Sequence, residues 1–236
     1  MIFQNLNNYK KKTFSYLYES KFNFVDILKV IISRIYLRIL SKDLNVPDWH
    51  INATYFARKY KSKVIKIYQI FSKDIDQVIE IGCGTGDLIS RIDNSNKLGI
   101  DVDKNVLHLC KKLNPNLKTI CLDVMDEFDV LNNHICKPNN NSTIFIIMVN
   151  WLHVYPIYQA NALIKNLLSL NQNIILLVDI YARPEYSNRI DNKTKHCFDD
   201  FKEVKWLLEI NDIDSVRDLK LISNFNPSIN YKNLNS

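Results

Sequence analysis

The amino-acid sequence predicts an α/β fold: a doubly wound, mostly parallel seven-stranded sheet with helices on both faces and an added N-terminal helical segment. Three observations carry this. The apolar run Val78-Ile79-Glu80-Ile81 feeds a turn, Gly82-Cys83-Gly84-Thr85-Gly86, that holds three of the chain's four glycines. A helical pattern leaves that turn, which is the strand–turn–helix that opens a nucleotide-binding βαβ unit. Further β-branched runs then alternate with helical ones and end in Asp101, Asp123 and Asn150, so that successive strands deliver polar groups to one edge of the sheet.

Taken in order, residues 1–20 are polar and aromatic, contain Lys10-Lys11-Lys12, and have no period. Residues 24–40 are helical in pattern: Phe24, Leu28, Ile31, Ile32, Ile35 and Ile39 share one face, while Asp26, Lys29, Ser33 and Arg34 fall away from it. With Arg38 included, the segment is too short and too charged to span a bilayer. A basic amphipathic helix can lie on an anionic membrane surface, but the expected arrangement is a helix whose apolar face packs on its own domain, with no stable membrane insertion. Residues 44–48 read as a linker, and a second helix is expected over 54–71. Residues 1–50 are therefore assigned to an N-terminal helical extension or lid, with His50 beside Trp49 as part of it, and residues 51–236 to the main domain.

In the main domain, residues 97–101 (Lys-Leu-Gly-Ile-Asp) form the second strand. Asp103 caps a helix over 104–113 that Asn114-Pro115 ends. Residues 118–122 are the third strand and 143–149 the fourth, the latter almost wholly apolar as a strand buried on both faces should be. A helix over 157–170, a fifth strand over 173–180, a polar aromatic loop over 181–197 and a last amphipathic helix over 198–210 follow. Residues 216–225 and 229–234, split by Asn226-Pro227-Ser228, read as an antiparallel hairpin that closes the sheet.

At 236 residues the chain is large enough to bury a core without disulfides. Its five cysteines are odd in number, scattered and free of a C-x-x-C pair, which argues for reduced thiols in a cytoplasm and against zinc. No two histidines have metal-ligand spacing, so no metal is expected. The first ten residues lack the charged region and apolar core of a signal peptide. Residues 1–70 hold 13 Lys and Arg against 4 Asp and Glu, while the remainder holds 18 against 21. A basic half can mean an anionic partner, but the chain's general Lys-, Asn- and Ile-rich bias explains it as well.

The glycine spacing discriminates among ligands. A dinucleotide fingerprint needs a glycine where Asp87 stands, and a P-loop needs Gly-Lys-Ser/Thr where Gly86-Asp87-Leu88 stands. What remains is acid-x-Gly-x-Gly-x-Gly from Glu80 to Gly86, which resembles motif I of the class I S-adenosylmethionine (SAM)-dependent methyltransferases. SAM carries no phosphate, so the turn needs no lysine, and its ammonium and sulfonium favour carboxylates. The resemblance covers roughly residues 50–225 and implies a Rossmann-like fold with SAM as cofactor and S-adenosylhomocysteine as product. Asp101, 19 residues after Gly82, falls where such a site holds the ribose hydroxyls. The resemblance further implies that Asp123, with the backbone after it, reads the adenine amino group. The cofactor residues it implies are thus Glu80, Gly82, Cys83, Gly84, Gly86, Asp101, Val102, Asp123, Val124 and Asn150.

Methyl transfer is an in-line displacement, and holding the nucleophile at near-attack distance can contribute up to about 7–11 kcal/mol. A hydroxyl nucleophile also gains from a base. His153 is the histidine beside the exit of the fourth strand, which makes it the candidate, with helix capping or packing on the cofactor as its other reading. Trp151 and Tyr155 can wall off a sulfonium, since an aromatic face favours a cation. The nucleic-acid amino-methyltransferases carry Asn/Asp-Pro-Pro-aromatic here. Asn150-Trp151-Leu152-His153 lacks both prolines, so no DNA partner is expected. The predicted function is methyl transfer to a small molecule, most simply O-methylation of a sugar or surface-polysaccharide precursor. An anionic acceptor would suit the loop arginines Arg183 and Arg189. The alternatives are a non-catalytic SAM-binding partner or sensor, and an RNA or small-molecule N-methyltransferase.

Overall fold

The structure is a computed structural model that describes residues 22–135, 142–181, 208–210 and 217–227. Its contacts divide the chain into two units, Met1–Lys59 and Tyr60–Ser236. The segment just past His50 packs back on the first helix within the first unit.

In the N-terminal unit, α1 (Phe24–Leu40) begins at Asn23, whose side chain accepts the Asp26 N–H at 2.8 Å. A short helix α2 (Asp48–Asn52) follows the expected linker over 44–48, starting at its last residue. The expected helix over 54–71 is two pieces. The Thr54 hydroxyl accepts the Ala57 N–H at 3.3 Å and closes a 3₁₀ turn, Tyr55–Ala57, after which Arg58 is extended. This turn packs on α1: Ser33 donates to the Thr54 hydroxyl at 3.1 Å, and Val30 and Ala57 share a small core with Phe22 and Phe56. The inward face of α1 is thus Val30, Ser33 and Leu37. The face expected to pack is the outward one: Phe24 is 79% exposed, Ile39 67% and Ile32 57%, while Val30 is fully buried. The inward side is instead closed by the Ser33–Thr54 hydrogen bond and by Val30 against Ala57.

In the second unit, α3 (Tyr60–Phe71) precedes β1 (Gln77–Ile81). Then come β2 (Lys97–Asp101), α4 (Lys104–Leu113), β3 (Lys118–Cys121), α5 (Phe128–His134) and β4 (Thr143–Met148). They are followed by α6 (Ile157–Leu168), β5 (Asn173–Tyr181), β6 (Leu208–Ile210) and β7 (Arg217–Ser223). The strands form one sheet in the order β3-β2-β1-β4-β5-β7-β6. It is parallel through β5, and β7 pairs antiparallel with both β5 and β6. Alternate residues of each central strand feed opposite cores, as the period of two requires. Ile79, Ile146 and Leu176 face the side covered by α6, and Val78, Phe145 and Leu177 face the side covered by α3.

At the C-terminal end the sequence reading needs correcting. Leu208, Glu209 and Ile210 are strand, not the end of a helix: Glu209 lies opposite Lys220 and the two apolar residues lie opposite Leu221 and Leu219. An alternating triplet was absorbed into a helical period. The expected helix before it, the loop over 182–197 with Arg183 and Arg189, and the hairpin partner over 229–234 lie outside the described residues.

Candidate active site

The carboxyl ends of β1, β2, β3 and β4 meet along one edge of the sheet. The turn after β1 has left-handed backbone at Gly82 (φ 73°), Gly84 (φ 55°) and Gly86 (φ 71°). Gly82 also cannot carry a Cβ, because an atom there would collide with Cδ1 of Trp151. Gly99 on β2 serves the same turn: a Cβ would lie 2.9 Å from Sγ of Cys83. Cys83 itself is buried beneath the turn.

Two buried carboxylates hold this turn by its backbone. Asp101, at the end of β2, accepts the Gly84 N–H at 2.8 Å through one oxygen and the Asp103 N–H at 3.0 Å through the other. Burial pushes its carboxyl up, and these two bonds oppose the shift. A carboxylate has about four lone-pair sites, so each oxygen retains capacity for a ligand hydroxyl. Glu80 lies below the turn, where its Oε2 accepts the Ile89 N–H at 3.0 Å. Burial pushes this carboxyl up to about 8 against the pull of Lys61. Its observed role is to anchor the 3₁₀ turn Ile89–Arg91 as the chain leaves the glycines. Lys61 on α3 reaches Asp87 at 3.4 Å on the same exit.

Of the other predicted positions, Val102 is exposed beside Asp101 and Val124 is buried beside Asp123. Asp123 accepts the Met125 N–H at 3.0 Å, and its own N–H donates to Glu127 at 3.1 Å. Asn150 takes a left-handed backbone (φ 61°), a conformation that asparagine tolerates better than most residues. Its N–H donates to Oδ1 of Asp179, at the end of β5, at 2.8 Å. That turn lays Trp151 over Gly82, with Tyr155 against Trp151 at 4.7 Å between ring centroids. His153 follows in the 3₁₀ turn Leu152–Val154, next to the buried Leu152, and its side chain lies outside what is described. His50 is buried in the N-terminal unit and stacks on Trp49 at 3.4 Å.

The electrostatics of this edge come from its carboxylates. Tyr155 is pushed up to about 12, first by burial and then by the charges of Asp123, Asp101 and Asp126. The edge therefore carries a negative field with no phosphate-binding lysine in its glycine turn. That suits a ligand with hydroxyls and positive charge. Among the described residues, no group of three metal-ligating side chains comes together.

Sequence reasoning missed two members of this arrangement. Asp179 was legible only as a polar end to the fifth apolar run, and nothing local showed that it holds a turn 29 residues earlier. Asn114, taken as a helix stop, also donates its side-chain amide to the Thr85 carbonyl at 3.2 Å and so ties α4 to the glycine turn.

Neither a family model nor a curated protein sequence matches the chain. Solved structures do. The N-methyltransferase NodS from Bradyrhizobium japonicum, in complex with S-adenosylhomocysteine, superposes with a TM-score of 0.54 at 15% identity over 80% of this chain and 98% of its own. The magnesium protoporphyrin IX methyltransferase ChlM from Synechocystis, with bound S-adenosylhomocysteine, gives 0.53 at 12% identity over 71% and 83%. The bifunctional kinase-methyltransferase WbdD gives 0.56 at 15% identity over 82% of this chain, which spans about half of that protein (47%). At these identities the likeness is one of fold, and the fold is that of the class I SAM-dependent methyltransferases.

Proposed function

We propose that this protein is a SAM-dependent methyltransferase acting on a small-molecule hydroxyl, with a sugar or surface-polysaccharide precursor as the preferred class of acceptor. The observation that carries the reading is the pairing of a left-handed glycine turn with Asp101, which holds the Gly84 N–H and still faces the strand-end edge with acceptor capacity. Bound there, SAM would supply a methyl group on a sulfonium, the electrophile of the reaction. The chain's own residues would do the rest. Asp101 would take the ribose hydroxyls, and Asp123 with the Val124 backbone the adenine amino group. Glu80 is a positioning residue in this reading: it fixes the exit of the turn and touches no ligand. Cys83 and Gly99 set how closely β2 approaches. Trp151 and Tyr155 would exclude water and give the cation an aromatic wall.

His153 would accept the proton of the incoming hydroxyl. An unperturbed imidazole is mostly neutral at physiological pH and so able to do this. NodS transfers to nitrogen, which keeps a nitrogen acceptor as the second reading. The test is turnover of methyl-labelled SAM with a panel of sugar nucleotides and oligosaccharides, for the native protein and His153→Ala. The expected result is transfer to a hydroxyl, with kcat lowered about 10²–10⁴-fold in the variant and SAM affinity held within a few-fold. The native kcat should fall as pH drops below the histidine range. Undiminished turnover in His153→Ala with a flat acid limb supports the nitrogen acceptor. SAM binding without any turnover supports a non-catalytic sensor.

A further inference from the structure

The outward face of α1 is the largest feature that the methyl-transfer reading leaves unexplained. Phe24, Leu28, Ile31, Ile32, Ile35 and Ile39 all project from it and are each more than two-fifths exposed. At about 100° per residue they fill an arc of roughly 100°. The inward contacts of the helix are already made on the opposite side by Val30, Ser33 and Leu37. Single exposed apolar residues are ordinary, but a continuous stripe along 17 residues marks an interaction surface.

Charge identifies what the stripe meets. The exposed Lys29 and Arg38 border the arc on its two sides. The ammonium of Lys29 lies 5.9 Å from the Phe56 ring, beside the stripe rather than beneath the helix. The helix's one acid, Asp26, is half-buried on the inward side, bound to the Asn23 cap by its N–H. The outward face therefore presents hydrocarbon bordered by cations, with no carboxylate. Two copies laid face to face would set cations near cations with no acid between them. A nucleic acid would meet isoleucine instead of donors. An anionic lipid surface matches both parts: the stripe enters the acyl boundary while Lys29 and Arg38 stay at the headgroups. Trp49, 60% exposed on the same unit, is the residue type that favours that boundary.

We infer that α1 is a peripheral membrane-docking helix that lies in the plane of an anionic bilayer. It does not cross the bilayer, since no helix among the described residues is long and apolar enough to do so. The inference stands apart from the reaction and holds whatever the acceptor is.

The test is co-sedimentation of the full chain with vesicles of phosphatidylcholine and phosphatidylglycerol, and with phosphatidylcholine alone. Binding should be saturable on the mixed vesicles and weaker by at least about tenfold on the neutral ones. The double variant Ile32→Glu with Ile35→Glu changes only outward positions. It should lose binding by at least about tenfold while its circular dichroism and SAM affinity are unchanged. The charge-reversed pair Lys29→Glu with Arg38→Glu leaves the stripe intact and should lose only the anionic preference. Three results would overturn the inference. One is a native protein that does not sediment with the mixed vesicles. Another is an Ile32→Glu, Ile35→Glu variant that binds them like the native chain. The third is a dimer in analytical ultracentrifugation that this variant dissolves, which gives the face to a second copy.

Discussion

Two neighbouring strands, β1 and β4, leave the sheet through turns that need left-handed backbone, and they meet that need in opposite ways. The turn after β1 uses glycine three times and leaves space where side chains would be. The turn after β4 uses Asn150 and fills space, placing the Trp151 ring where a Cβ of Gly82 would stand. Both are held by the same device. A buried acid at the end of the next strand outward accepts a turn N–H at 2.8 Å: Asp101 on β2 for Gly84, and Asp179 on β5 for Asn150. The comparison teaches that the site edge is built from two interlocked turns. The left-handed glycines sit in the first, and the aromatic bulk sits in the second. It follows that damage to either turn should be felt in the other.

The largest expected effect comes from breaking the interlock itself. Gly82→Val adds a branched side chain at φ 73° and drives it into the indole of Trp151. Strain and overpacking together should cost on the order of 3–5 kcal/mol. A thermal melt should show a large fall in Tm, and SAM affinity should vanish in whatever remains folded. A variant with native Tm and native affinity would separate the two turns.

Breaking only the second clamp should cost less. Asp179→Ala leaves the half-buried Asn150 N–H without that acceptor, a loss of about 1–3 kcal/mol in chemical denaturation. Because Asp179 supports the wall and not the glycine turn, kcat should fall more than SAM affinity does. An equal fall in both would mean that β5 supports the cofactor turn as well.

How much of this was legible in the sequence follows from the same contrast. A glycine that needs φ above zero is nearly the only residue for its place, so Gly82, Gly84 and Gly86 announced the first turn. Asp103 announced the start of α4 and Asn114-Pro115 its end, and the observed helix is Lys104–Leu113. The second turn was nearly silent, because its clamp is a contact between distant residues and asparagine is common in ordinary loops. α1 was legible as a helix to the residue, Phe24–Leu40, but its orientation was not. Periodicity reports that one face is apolar. It does not report that Ser33 and Thr54 pair on the other. The same blindness to partners hid β6, whose three residues become a strand only because β7 lies beside them.

A smaller effect concerns the anchor under the first turn. Glu80 is pushed up to about 8 from an unfolded value near 4.5, so between these two pH values the folded protein holds a proton that the unfolded chain has released. Stability attributable to this group is then fully present below about 4.5 and is lost as pH rises through about 8. Urea midpoints should fall from pH 5 to pH 8 in the native protein, and Glu80→Gln should flatten that slope. A rising midpoint over this range that Glu80→Gln abolishes would reverse the sign of the shift.

The central claim, that the β1 and β2 strand ends form a SAM site, is tested most directly by isothermal calorimetry. The native protein should bind SAM and S-adenosylhomocysteine at one site. Asp101→Ala, checked by its melt to be folded, should bind each at least tenfold more weakly, about 1.4 kcal/mol. A native protein that gives no binding heat with either ligand, or a folded Asp101→Ala variant of unchanged affinity, would contradict it.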